Sequence, residues 1–559
     1  MDAPLAPSPP LAAKHLRRDA TVVVLVVFAL FASTLSANLA IAHDSLGYLR
    51  IIETNGPGGL FHPHHLLYNV AAALWLSFVR ALGIGGSSFA VVSILNAVFG
   101  ALAAGLVFVI LRQRGHVGRA LSLAGTALVV GSFGFWFYSV CVEVYIIPLF
   151  FLLAALYVLT ASALTPQKLA AVGALHGLAM VFHQAHVLFG LVVLAALWVR
   201  RENLGGRMAS GLGLYLGVGT LVVVVSYGIA LATLGLTSPE EAWLWFTQYA
   251  HQTDYWNPAA ASTVAKAGVG FTRSFVGMHF AFALEPVQAL MQRAFPDKFL
   301  SDEVFLVQDL SAPVAYVLFA LSAAVGVTII VAFALGLRHV RALTSEQTAL
   351  AQMVAAWLVV YTLFFFFWEP HNVEFWIPQS VCVWVLVVLF WSTGSERDGK
   401  RTAAFFAGLA VILMAVNYFG TVRFAQDPDR DIYRYAVQPL AEVTRPGDVL
   451  VLGRSHLMQD YVYYLTEAQV LGIDLVFAET GEVTTTVAKL REAIDAERAA
   501  GHAVFALASA VTPEPQVRAQ LGEGLRDVMD TLWTPYRTIW SRKNTASGMV
   551  YYRIAPANP

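Results

Sequence analysis

The sequence predicts an α-helical polytopic membrane protein that ends in a small soluble α/β domain. Three observations predict it. Apolar residues fill 58% of the 559 positions and charged residues only 13%, where a soluble domain carries about a quarter. The mean hydropathy is +0.64, and the apolar residues fall in runs long enough for bilayer-crossing helices. From residue 421 onward, short apolar stretches alternate with polar ones, as in a soluble domain. The formal net charge of −1 gives no reason to expect a nucleic-acid partner. Cys141 and Cys382 stand far apart inside apolar runs, so they read as buried hydrophobes.

Helical spans of roughly 17–25 residues are expected, with basic residues at their cytoplasmic ends. Residues 1–20 form a cytoplasmic tail, rich in Pro and Ala, that turns basic at Lys14, Arg17 and Arg18. The run behind it lacks a convincing cleavage site and reads as a retained first span over 21–42, directed outward. Residues 43–88 form a first outer loop. If 66–82 and the clear run 89–111 both crossed, Arg112, Arg114 and Arg119 would lie outside, so 66–82 is expected as a short interfacial or re-entrant helix closed by Arg80. Spans follow at 89–111, 121–137, 144–164, 169–182, 187–199 and 211–234, with Arg200, Arg201 and Arg207 on the inner side.

Residues 235–312 form a second outer loop. Its start carries Trp243, Trp245, Phe246, Tyr249, Tyr255 and Trp256, which suit the headgroup level, and its apolar middle near 268–284 is not counted as a crossing. Spans at 313–337, 349–368, 377–391 and 402–420 complete about eleven crossings across the 21–420 transmembrane domain. The N-terminus then lies inside, every basic cluster faces the cytoplasm, and residues 421–559 form an extracytoplasmic α/β domain. Within that domain 448–452, 474–477 and 503–508 read as strands and 487–500 as a helix. Gly453 stands alone with no phosphate-loop pattern, so no nucleotide site is expected.

This topology collects polar residues at outer helix ends. They are His43 and Asp44 with His62, His64 and His65; Glu143 with Tyr145; His183 with His186; and Glu369, His371 and Glu374. Ionisable groups beside hydrocarbon are costly, so a functional site is the default reading. Asn55-Gly56-Pro57-Gly58-Gly59 is a turn-forming run that folds the first loop back toward the membrane. Blander readings compete for each group: Asp44 as a helix cap or a partner of Arg50, Glu143 as a satisfied buried glutamate, His183 and His186 as structural. The run His62-Pro63-His64-His65 has a metal-like look, but adjacent ligands of this kind seldom converge without a carboxylate or thiolate.

In order along the first 190 or so residues, Asp44-Ser45, His62-Pro63 with Leu67-Tyr68, Trp136…Glu143-Val144-Tyr145 and Gly177-Leu178…His183-Gln184 resemble the GT-C membrane glycosyltransferases. The nearer likeness is to the protein O-mannosyltransferase branch, including its plexin-type transmembrane relatives. Gly447-Asp448-Val449-Leu450-Val451 with Tyr463-Tyr464 is a weaker echo. The sequence departs from the branch where His-Pro-Pro-Gly becomes His62-Pro63-His64-His65, and after Val187 only the hydropathy agrees.

The resemblance implies a polyprenyl- or dolichyl-phosphate sugar donor, mannose-like, and an acceptor hydroxyl on a protein, lipid or glycan. Asp44 would take the acceptor proton in a single inverting displacement, with Glu143 as the other catalytic candidate. His43, Arg50, His62, His64, His65, Tyr68, Tyr145, His183, His186, Glu369, His371 and Glu374 are candidates for holding the donor and its leaving phosphate. No cofactor is expected; a divalent metal could bind but is not required. A bacterial inner membrane is the expected location, with the active site extracytoplasmic. A transporter or flippase of a lipid-linked or small polar substrate, and a non-catalytic membrane scaffold, are the alternatives. Both leave the clustering of acids and imidazoles at one membrane face unexplained.

Overall fold

The computed structural model describes residues 10–42, 44–201, 207–247, 255–294, 300–393, 396–454, 456–513, 518, 521–544 and 548–557. His43 and Tyr249, named above, lie outside them. The chain forms two compact units. One comprises the N-terminal residues to Ser36 with Ile51–Ala281 and Leu310–Gln426; the other comprises Ala37–Arg50, Phe282–Asp309 and Asp427–Pro559.

The first unit is an integral membrane helix bundle. Among the described residues six helices are long and apolar enough to cross a bilayer: Ser88–Arg114, Met208–Leu234, Ala312–Ala342, Ser345–Phe365, Val373–Thr393 and Gly399–Ala425. Shorter apolar helices lie at Arg119–Gly131, Ile146–Leu159 and Gln184–Val199, and Pro10–Ser33 and Pro166–Phe182 are also helical. Each of the eleven expected spans thus holds helix. Some of their starts follow capping chemistry. Thr165 accepts the Lys168 N–H ahead of Pro166, and Thr344 and Gln347 form a reciprocal capping box.

Two spans differ from expectation. The first helix ends at Ser33 rather than running to 42, because polar groups take over the backbone. The Ser36 N–H donates to the Val140 carbonyl at 2.9 Å, and Asn38 Oδ1 accepts from the Ala40 and Ile41 N–H groups. The expected span 121–137 breaks at Ser132 into Arg119–Gly131 and Phe133–Tyr138. Asn417 holds that break: its Nδ2 donates to the Gly131 carbonyl at 2.7 Å and the Phe275 carbonyl at 2.8 Å, and its Oδ1 accepts the Gly277 N–H.

The helices fall into central and peripheral sets that their composition does not distinguish. In Val373–Thr393 94% of the apolar window is buried inside the protein, against 22% in Met208–Leu234. The latter presents Leu216, Leu221, Val224 and Ile229 outward, as a lipid-facing helix does. It meets Pro166–Phe182 with the backbones nearly touching: a Cβ on Gly173 would lie 2.3 Å from the Tyr215 carbonyl oxygen. The helix Tyr68–Ala81 occupies the stretch expected to be interfacial, with Tyr68, Asn69 and Ala72 buried and Leu74 and Phe78 exposed.

The second unit contains the α/β domain. Its five-stranded sheet has the order β2-β1-β3-β5-β4, from β1 (Val449–Leu452), β2 (Gln469–Gly472), β3 (Val504–Leu507), β4 (Tyr536–Lys543) and β5 (Val550–Pro556). β1 pairs in parallel with β2 and β3, and β5 pairs antiparallel with β3 and β4. β1 is buried along its length, as a parallel strand covered on both faces should be. Val451, Leu490, Ile494, Val504, Leu532 and Ile554 lie in its core.

The expected strand 474–477 is corrected: it lies in the helix Ile473–Thr480. Gly472 closes β2, Asp474 sits in the helix's first turn where its charge suits the dipole, and Gly481 at φ +67° ends it. A four-residue apolar run does not separate strand from helix by periodicity.

Candidate active site

In the first unit the loop after Thr54 is shaped by its glycines. Pro57–Leu60 forms a 3₁₀ turn, and a Cβ on Gly59 would lie 2.7 Å from the Asn55 side chain. The histidine run that follows is stitched to helix Pro166–Phe182 and the turn beyond it. The Gln184 N–H donates to the His64 carbonyl at 2.7 Å, the Leu67 N–H to the Val181 carbonyl at 3.0 Å, and the Tyr227 hydroxyl to the Pro63 carbonyl at 2.6 Å.

This stitching brings the imidazoles together. His62 stacks on His65 with centroids 4.0 Å apart and planes 8° from parallel, and His64 stands edge-on to His62 at 6.0 Å. His183 lies 5.2 Å from the Tyr145 ring and 5.5 Å from His186. Tyr145 meets Tyr138 and Phe375 edge-on, and the Tyr138 hydroxyl donates to Glu374 Oε2 at 2.7 Å. His62, His64, His65, Tyr145, His183, His186 and Glu374 therefore belong to one neighbourhood, although up to three hundred or so positions separate them in sequence.

His186 is fixed from behind. Its Nδ1 lies 3.0 Å from the Tyr361 hydroxyl, and its carbonyl accepts from His176 Nε2 at 2.8 Å. That bond leaves His176 Nδ1 to accept from the Tyr215 hydroxyl, also at 2.8 Å. Among the described residues His186 Nε2 is buried with no hydrogen-bond partner. Burial pushes His62 and His64 down to about 4, His62 with help from its neighbour's charge. At neutral pH both are uncharged hydrogen-bonding groups rather than cations.

Glu143 is 4% exposed, in a loop pinned by Asn96. The Asn96 Nδ2 donates to the Cys141 carbonyl at 2.7 Å and the Glu143 carbonyl at 2.6 Å, and lies 3.4 Å from the buried Tyr68 hydroxyl. Glu369 and His371 lie in a turn whose backbone is anchored elsewhere. Glu369 adopts φ +41° and donates its N–H to the Tyr255 carbonyl, and Trp368 forms a bridge with Trp256. Both cysteines are free and buried. Among the described residues no three His, Cys, Asp or Glu side chains converge as a metal-ligand set.

Asp44 and Arg50 lie in the second unit. Asp44 is exposed at the mouth of helix Ser45–Thr54, its carbonyl accepting the Tyr48 N–H at 3.0 Å. Arg50 pairs with Asp460 at 2.9 Å and lies over the Tyr463 ring, so this cation is already engaged by carboxylate.

Sequence reasoning did not single out Asn96, Tyr138, Tyr361, Asp431 or Asp460. Asn96, a lone amide in a long apolar helix, carried a signal that could have found it. The others gain meaning only from partners distant in sequence.

Two solved structures align with nearly the whole chain. ArnT from Cupriavidus metallidurans in the apo state matches at a TM-score of 0.54 and 11% identity, over 97% of this chain and 98% of that one. The same protein bound to undecaprenyl phosphate matches at 0.51 and 12%, over 96% and 97%. The chain has the GT-C fold. At this identity the likeness is one of fold, and the GT-C scaffold carries no residue of ArnT over to this chain. The Saccharomyces cerevisiae protein O-mannosyltransferase Pmt1-Pmt2 complex bound to its sugar donor aligns at a TM-score of 0.33 and 17% identity, over 39% of this chain and 34% of that one, so the chain spans about a third of its length. No protein-family profile and no curated protein matches the sequence.

Proposed function

We propose that this chain is a membrane glycosyltransferase that moves a sugar from a polyprenyl-phosphate donor to an acceptor hydroxyl. The observation that carries the reading is the GT-C fold, matched along the whole chain to a protein solved with undecaprenyl phosphate bound. The imidazole cluster supports it. Uncharged His62 and His64, the buried and unpartnered Nε2 of His186, and the nearby Tyr145 supply directed hydrogen bonds of the kind a phosphate takes.

In this reading Asp44 accepts the acceptor's proton as the hydroxyl oxygen attacks the anomeric carbon. The bond from that carbon to the phosphate oxygen breaks, and the lipid phosphate leaves with the electron pair and its charge. One carboxylate base suffices, and the configuration at the anomeric carbon inverts. Mannose is the proposed sugar, on the motif resemblance, and the proposed orientation places the N-terminus in the cytoplasm and the reaction outside.

Transfer of radiolabelled sugar in isolated membranes tests this, with polyprenyl-phosphate mannose and glucose as donors. Wild type is expected to transfer and Asp44→Asn, which keeps size and polarity, to lose at least about 100-fold. Equal transfer by both would remove Asp44 from the chemistry, and no transfer from any lipid-linked donor would overturn the function.

A further inference from the structure

Asp44 is exposed at the start of helix Ser45–Thr54, and a base must sit within hydrogen-bond reach of the proton it takes. The second unit holds the segment on both sides of Asp44. Asp431, 0% exposed, accepts the Leu39 N–H on Oδ2 at 3.0 Å and the Tyr461 hydroxyl on the same oxygen at 2.6 Å. Its Oδ1 takes the Tyr433 and Arg434 N–H groups and so caps helix Ile432–Ala441. A buried carboxylate with four donors is strongly held. On the other side of Asp44, Arg50 pairs with Asp460 at 2.9 Å, and Asp460 Oδ2 comes within 3.4 Å of where a Gly47 Cβ would lie. Asp460 and Tyr461 are consecutive in helix His456–Leu465, so one helix meets the segment directly after Asp44 and, before it, steadies the Asp431 carboxylate that takes the Leu39 N–H.

We propose that Asp431, Tyr461 and Asp460 are positioning residues for sugar transfer, holding residues 38–50 so that the Asp44 carboxylate is presented in a fixed place. The C-terminal domain is then a working part of the enzyme rather than an appended module. This rests on Asp44 as the base, as read above. The gain is orientational: displacing a reacting group by about 1 Å costs up to about 100-fold in rate.

The test uses full-length protein carrying Tyr461→Phe, which only removes one hydroxyl, and Asp460→Asn, with Asp460→Glu as the conservative control. Hydrogen exchange is followed in residues 37–50 and in β1, and kcat is measured separately from the donor KM. In Tyr461→Phe and Asp460→Asn, exchange in 37–50 is expected to quicken about tenfold with β1 unchanged. kcat should fall about tenfold or more with the donor KM within about twofold, and Asp460→Glu should recover most of it. Gly47→Cys combined with Asp460→Cys should regain kcat when oxidised and lose it when reduced, with exchange in 37–50 slowing and quickening in step. Wild-type kcat despite a loosened segment, or unchanged exchange, overturns the proposal. Absence of transfer in wild type overturns the function instead, and the exchange result alone then decides the clamp.

Discussion

His62 and His64 keep their neutral form to about pH 4, whereas an unfolded histidine takes a proton near 6.5. Between those values the unfolded chain binds more protons than the folded one, so stability rises with pH and is lost as pH falls through 6.5. Each histidine contributes up to about 1.4 kcal/mol per pH unit in that window. Thermal unfolding in detergent should therefore show a Tm that drops steeply from about pH 6.5 to 4.5. The double variant His62→Asn with His64→Asn should flatten that slope; an unchanged slope would place the titrating groups elsewhere. The residue types of the site were legible because charge and imidazole beside hydrocarbon stand out in sequence. Their partnerships were not: Tyr138 with Glu374, or Arg50 with Asp460 rather than Asp44, depend on contacts no local pattern encodes.

At the scale of elements, helices were readable because an apolar run in lipid must satisfy its own backbone. What stopped them was less so. The break at Ser132 depends on Asn417 from a remote helix, and β4 and β5 carry arginines and lysine that hide their strand pattern. Helix contact gives a sharp prediction. Gly173→Ala would set a methyl against the Tyr215 backbone, which cannot rotate away, and should destabilise by about 1–3 kcal/mol. Gly213→Ala, on the facing helix with nothing within 4 Å of the added carbon, should be neutral or stabilising by up to about 1 kcal/mol. Comparing the two Tm values checks it; equal shifts would mean the helices do not meet as described.

At the scale of the whole molecule, composition told that the chain lives in a membrane but not which helices touch lipid, since lipid and protein interior are equally apolar. Met208–Leu234 is the helix whose apolar window is least covered by the rest of the protein among the six long ones. Val224→Arg on its outward face should cost about 2.5–3.5 kcal/mol of insertion free energy, read by glycosylation-site mapping of the span. Normal insertion would show that this face is covered by protein.

Asn417 has a consequence for how the bundle is made. The carbonyl it ties down at Gly131 was synthesised 286 residues earlier. The ribosome must therefore deliver nearly the whole membrane part before the kink at Ser132 can be locked, and the first-made helices wait in the bilayer with that junction open. Assembly of this bundle is thus completed by its last helix, and a chain stalled before Asn417 emerges should be a substrate for membrane quality control.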